Sequence, residues 1–136
     1  MDVRAHREAA EVAASGDPAL RLNGAGAGPV SPEWMIPKAL WIRRHQPDLW
    51  AQAAMVGEYQ DFLTLRLTGR WTGSLNNATM RWHYQTGQGG WPDSLLARLD
   101  LADLRARWPA ELVAPGRVIG PLTGAAAAHL GLLAGT

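Results

Sequence analysis

No cysteine occurs in this sequence. That excludes a disulfide framework and thiolate metal clusters, and it makes a cytoplasmic location the easier reading. Long apolar runs are missing as well, so nothing reaches the length a membrane-spanning helix needs. Charge of one sign is not in excess. Thirteen Lys and Arg against twelve Asp and Glu leave a net +1, too little field to draw in nucleic acid or an anionic membrane. A phosphate loop is also lacking. The stretch Asn23–Pro29 is glycine-rich, but it has no terminal Gly-Lys-Ser/Thr and no clear strand before it. It reads as a flexible connection or a close backbone approach. Phenylalanine appears once, whereas tryptophan appears seven times. Indole rings bury their bodies, need a partner for one N–H, and stack on sugar faces in carbohydrate-binding proteins.

What is present suits one domain, or part of one, because 136 residues supply no more. Apolar residues at 47% and charged residues at 18% describe a globular chain. Residues 2–14 predict a helix with Ala5, Ala9, Val12 and Ala13 on one face and two i,i+4 pairs, Arg4–Glu8 and Arg7–Glu11. Ser15-Gly16-Asp17-Pro18 ends it. Ser31 and Pro32 predict the N-cap and first position of a second helix, which Pro37 should interrupt or restart. Leu40 and Trp41 then face inward, with Arg43, Arg44 and His45 at the carboxyl end, where the helix dipole favours cations. Pro47 starts a further short helix carrying Leu49, Trp50 and Ala53.

Residues 58–71 are ambiguous by periodicity. Leu63, Leu65 and Leu67 alternate with polar residues as in a strand, while Tyr59, Phe62, Leu63 and Arg66 form a helical stripe with Gly69 placed as a C-cap. After a turn at Trp71-Thr72-Gly73, short helices are expected over 76–81, 92–99 and 101–108, with a loop at 86–90. A turn at 113–116 leads into a short strand at 117–120. Thr123 caps an alanine-rich helix that Gly131 ends.

The search for chemistry finds little. His6, His45, His83 and His129 lack metal-ligand spacing, and surface or capping roles are expected of each. No Gly-x-Ser-x-Gly turn marks a serine nucleophile. Glu58 and Asp61 lie on one potential helix face, where capping or a link to a neighbouring arginine is the expected role. Taken alone, Asp2 and Arg4 read as an N-cap and a helix-surface charge.

The ordered signature Glu58–Trp71 followed by Ser74–Thr79 resembles the amino-terminal lobe of FGGY carbohydrate kinases, and the resemblance runs from Asp2 to Thr136. Leu67-Thr68-Gly69, Trp91-Pro92, Ile119–Thr123 and Leu130-Gly131-Leu132 match as scaffold. Met1–Ala5 resembles the family's acidic-x-basic sugar contact, which reverses the bland reading of Asp2 and Arg4. Ser31-Pro32-Glu33-Trp34 with Pro37-Lys38 resembles the ribulokinase branch in particular. It implies that Glu33 reaches a substrate hydroxyl and that Trp34 walls the sugar pocket; a capped helix with a core tryptophan stands beside that reading. Arg81-Trp82 stands where related ribulose kinases carry Lys-Trp, so Arg81 is implied to touch the substrate through a planar, forked guanidinium.

The resemblance implies an α/β fold, an incomplete ribonuclease H-like lobe of the actin and hexokinase type. The part present should be mostly helical with a few short strands. It implies a sugar-binding domain over 1–136, helix at 58–69, and an ATP-binding carboxyl-terminal domain that is absent. A phosphate turn would precede Met1, and a catalytic aspartate in a Gly-Gly-x-Asp-Ala segment would follow Thr136, so both ends read as cuts. The parent reaction would transfer the γ-phosphoryl group of ATP, with Mg²⁺, to a ketopentose such as ribulose. The chain alone is then expected to bind neither cofactor and to be inactive. The alternative is a non-catalytic module that binds a sugar or polyol, or a partner such as a separately encoded remainder of the kinase.

Overall fold

A computed structural model describes residues 2–22, 29–88 and 90–136. The glycine-rich connection read at 23–29 falls almost wholly outside them. The elements run in order as α1 (His6–Ala14), a 3₁₀ turn (Pro18–Leu22), α2 (Met35–His45), α3 (Pro47–Gln52), α4 (Tyr59–Thr68), β1 (Thr72–Ser74), α5 (Leu75–Arg81), a second 3₁₀ turn (Thr86–Gln88), α6 (Asp93–Arg98), α7 (Leu104–Arg107), β2 (Glu111–Val113) and α8 (Gly124–Leu130). Strands β1 and β2 pair in parallel, Thr72 opposite Glu111 and Ser74 opposite Val113.

The first helix starts later than the pattern suggested and is stabilised differently. Ala5, Ala9 and Val12 are buried as expected, but Ala13 is exposed. Neither expected i,i+4 pair forms. Arg4 turns back to Asp2, Glu8 is buried, and both oxygens of Glu11 are taken by Arg44 of α2 at 2.6 and 2.8 Å. A two-pronged guanidinium bond across helices offers better geometry than a flexible pair along one helix.

At the second helix Ser31 closes a turn instead of capping. Its hydroxyl accepts from the Glu33 N–H at 3.2 Å, its carbonyl accepts from the Trp34 N–H, and α2 begins at Met35. Pro37 therefore stands in the first turn and interrupts nothing, because the first N–H groups of a helix have no internal acceptor to lose. Arg43 reaches Asp100 and Asp103, and Trp50 of α3 donates its indole N–H to Asp103 at 2.8 Å. Leu49 points outward.

The ambiguous segment is a helix. Gly69 ends α4 in the left-handed conformation at φ +74°, which costs glycine nothing, and its N–H bonds to the Leu65 carbonyl. The expected turn at 71–73 is instead β1, and the strand expected at 117–120 lies upstream as β2. Gly73 lets the two strands close, since a Cβ there would come within 2.9 Å of the Leu112 side chain. The helix expected over 101–108 is shorter, at 104–107. Thr123 does cap α8, accepting from the Ala126 N–H, and Gly131 ends it.

The core joins α1 and α2 to α5, α6 and α7 through Val12, Ile36, Leu40, Trp82, Leu95 and Leu104. Within it Trp82 stacks on Trp108, and the half-buried Trp91 packs on Trp108 as well, with ring centroids 5.2 Å apart in each case. Much of the unusual tryptophan count is spent here.

Candidate functional site

Arg81 is the last residue of α5, and three elements converge on its guanidinium. One terminal nitrogen donates to the Glu33 carbonyl at 2.6 Å. The other lies 3.3 Å from the Glu58 carboxylate, whose second oxygen accepts the Trp82 indole N–H at 3.0 Å. Nε of Arg81 is buried with no acceptor. The Arg81 side chain as a whole is about one-third exposed.

Glu58 is held in turn. It stands just before α4, and its N–H donates to the carboxylate of Asp61 at 2.8 Å, as an acidic residue at the third helical position commonly accepts. The other oxygen of Asp61 accepts the Ser74 N–H at 3.1 Å, tying α4 to the start of α5. Burial pushes the Asp61 carboxyl up from its ordinary value, against the pull of those two N–H groups. The expected capping and arginine-linking roles are thus divided between the two residues.

Trp34 precedes α2 and meets His83 edge to face, ring centroids 5.5 Å apart. His83 is a correction to the expectation of a surface histidine. It is fully buried, its backbone adopts φ +57°, and burial pushes its pKa down to about 4. Glu33, Trp34 and Arg81 therefore form one cluster.

Asp2 and Arg4 form another. Their side chains bond at 2.9 and 3.0 Å in the open, and Arg4 holds the Asp2 carboxyl well below the usual carboxylate range. Asp2 does not cap α1. The Arg4 guanidinium lies 4.5 Å from the centre of the Trp41 ring, and Lys38 and Ile42 complete a shallow cleft of about 50 Å³. Helix α2 joins the two groups. Trp34, Lys38 and Trp41 recur at i, i+4 and i+7, a spacing visible in the sequence that could have drawn attention to Lys38 and Trp41.

Among the described residues no three His, Asp or Glu side chains gather as a metal ion would require. The described residues do not fit a resident Mg²⁺. The arrangement can orient a polyhydroxylated molecule: carboxylates accept, guanidiniums donate and an indole offers a flat apolar wall.

The amino-terminal domain of the FGGY family of carbohydrate kinases matches residues 7–136. This chain belongs to that family. An FGGY carbohydrate kinase domain-containing protein of Danio rerio is 37% identical over the whole chain, which covers 25% of that relative. An autoinducer-2 kinase of Klebsiella pneumoniae is 33% identical over 74% of the chain and 18% of its own length. The crystal structure of a xylulose kinase from Rhodospirillum rubrum superposes with a TM-score of 0.81 at 27% identity, covering 98% of this chain and 27% of that one. The FGGY chain thus spans a quarter or less of the curated relatives named here. Its fold is the mostly helical α/β portion of the family's amino-terminal lobe.

Proposed function

We propose that this FGGY chain is the sugar-recognising part of an ATP-dependent cytoplasmic kinase acting on a ketopentose such as ribulose. The observation that carries this reading is the contact between Arg81 and Glu33. Two residues 48 positions apart, each marked by the family resemblance, meet beside Trp34. The exposed edge of Arg81 would donate to sugar hydroxyls, the Glu33 carboxylate would accept, and Trp34 would pack on the ring or chain. Asp2 and Arg4 would supply a second accepting and donating pair. A likeness to a xylulose kinase supports a pentulose, and Ser31-Pro32-Glu33-Trp34 with Pro37-Lys38 supports the ribulose branch.

ATP with Mg²⁺ would supply the phosphoryl group from a domain that the longer relatives add. The residues here orient the acceptor hydroxyl, which lowers the barrier by holding reactants in line. Titrating the purified chain with D-ribulose, L-ribulose, D-xylulose and ribitol while following tryptophan fluorescence tests the reading. A saturable response that Arg81→Ala weakens about tenfold is expected, the worth of one charge-assisted hydrogen bond. No saturable response to any of them would overturn it. No kinase turnover is expected from the chain alone, and robust phosphorylation of a pentulose would refute that part.

One observation favours a second reading, a non-catalytic partner-binding module. An apolar groove of about 500 Å³ between α4 and α8, lined by Leu63, Leu67 and Leu130, lies on the helix that also exposes Tyr59 and Phe62. A separately encoded remainder of the kinase would fit such a face. Intact, unrelated neighbouring reading frames would support the non-catalytic reading, whereas a frame encoding the Gly-Gly-x-Asp segment would support the kinase.

A further inference from the structure

Helix α4 reverses the usual arrangement of a surface helix. Its one fully buried side chain is the acidic Asp61, while Tyr59, Phe62, Leu63 and Arg66 form a single stripe exposed to solvent. A helix of ten residues is marginal in water by itself, and burying an apolar stripe is what ordinarily stabilises one. Here the stripe is left outside.

The uncovered surface continues beyond α4. The Thr123 N–H bonds to the Leu67 carbonyl and brings α8 alongside, leaving a groove of about 500 Å³ lined by Leu63, Leu67 and Leu130. Leu132 and Leu133 follow Leu130, and Leu133 is 83% exposed. The whole chain exposes 8026 Å² of surface. A compact monomer of 14.7 kDa exposes about 6,900 Å². The excess of about 1,100 Å² is larger than the roughly 800 Å² that each partner gives to a standard interface.

We propose that a second copy of this chain covers the face in a two-fold pair, with α4 lying antiparallel on its mate. A two-fold axis sets each patch against itself, so the patch must be self-complementary. This stripe is. With the axis between Phe62 and Leu63, Phe62 of each copy meets Leu63 of the other, and Tyr59 meets Arg66. An aromatic face attracts a guanidinium. The same register keeps like charges apart. The two Arg66 side chains stand seven residues from each other along the paired helices, about 10 Å at 1.5 Å per residue. That is beyond the screening length of about 8 Å in physiological salt. The pairing is independent of sugar binding, and it gives the groove of the second functional reading a different occupant.

Sedimentation equilibrium of the full chain over a concentration series tests the pair. The mass should rise from that of one chain to that of two and no further. Leu63→Glu places carboxylates at the axis and should hold the mass at one chain, with circular dichroism unchanged. Arg66→Ala should weaken the pair about tenfold, since it removes both aromatic contacts. A pair strengthened by that change would overturn the register and the proposal with it. The chain has no cysteine, so a mixture of Phe62→Cys and Leu63→Cys chains should cross-link with an added oxidant, whereas Gln60→Cys, off the stripe, should not. That arm decides the matter even if Leu63→Glu fails to fold. One-chain mass at every concentration would overturn the proposal and leave the groove to another protein. Open-ended aggregation, or a dimer that Phe62→Cys and Leu63→Cys do not cross-link, would overturn it too.

Discussion

The Asp2–Arg4 pair and the Glu58–Arg81 pair are both carboxylates set against guanidiniums, yet the fold treats them in opposite ways. Asp2 and Arg4 are two residues apart and bond each other in solvent, where a pair contributes little because water screens it. Arg81 is gripped from two other elements, and its partner Glu58 also holds the central Trp82. Local sequence can make the first pair; only a closed tertiary frame can make the second. One pair is therefore free to rearrange, while the other is held in place by the fold.

The largest expected effect is on the framed side. Trp82→Ala should cost about 3–5 kcal/mol, because it removes a fully buried ring from the tryptophan stack and takes the donor from one Glu58 oxygen. Chemical denaturation would measure it, and a loss no larger than a surface change would break the contrast.

Next in size is an acid sensitivity at His83. Its folded pKa of about 4 lies below the ordinary 6.5. The unfolded chain binds the proton first, so stability is full above pH 6.5 and falls as pH drops towards 4, by on the order of 3 kcal/mol. Asp61, with its carboxyl pushed up, works in the opposite sense by contributing stability at the acid end. Denaturation midpoints from pH 7 to 4 in the wild type and in His83→Gln isolate the histidine. The difference between the two slopes is the histidine's share, and the wild type should fall more steeply than the variant.

Arg81→Ala should destabilise by about 1–2 kcal/mol by leaving the mostly buried Glu58 carboxylate without its cation. Arg81→Lys should recover part of the charge and lose the fork, so the Glu33 contact should fail. The smallest effect belongs to the open pair. Asp2→Asn should leave the denaturation midpoint unchanged while weakening any pentulose response. A clear drop in stability would show that the two pairs differ less than their surroundings suggest.

Several features were legible in the sequence because they are local. Gly69 and Gly131 as helix ends, Thr123 as a cap and the short helix at Pro47 each depend on neighbours within a turn. Family membership was legible for another reason, since ordered motifs over the whole length are improbable by chance. The residues of β1 read as a turn and β2 lies upstream of the expected strand, because each is only three residues long and is made a strand by its partner almost forty residues away. His83 was misjudged because nothing beside it in sequence shows that Trp34 will close over it.

The sequence by itself determined what depends on neighbouring residues and on ordered motifs: the stop at Gly69, the cap at Thr123, the absence of a phosphate loop, and the family. Tertiary structure alone decided which polar groups lose water. It put Arg81 between Glu33 and Glu58, and it buried His83 and Thr72. Desolvation and hydrogen-bond geometry are set by groups far apart in the chain, and no local pattern encodes them.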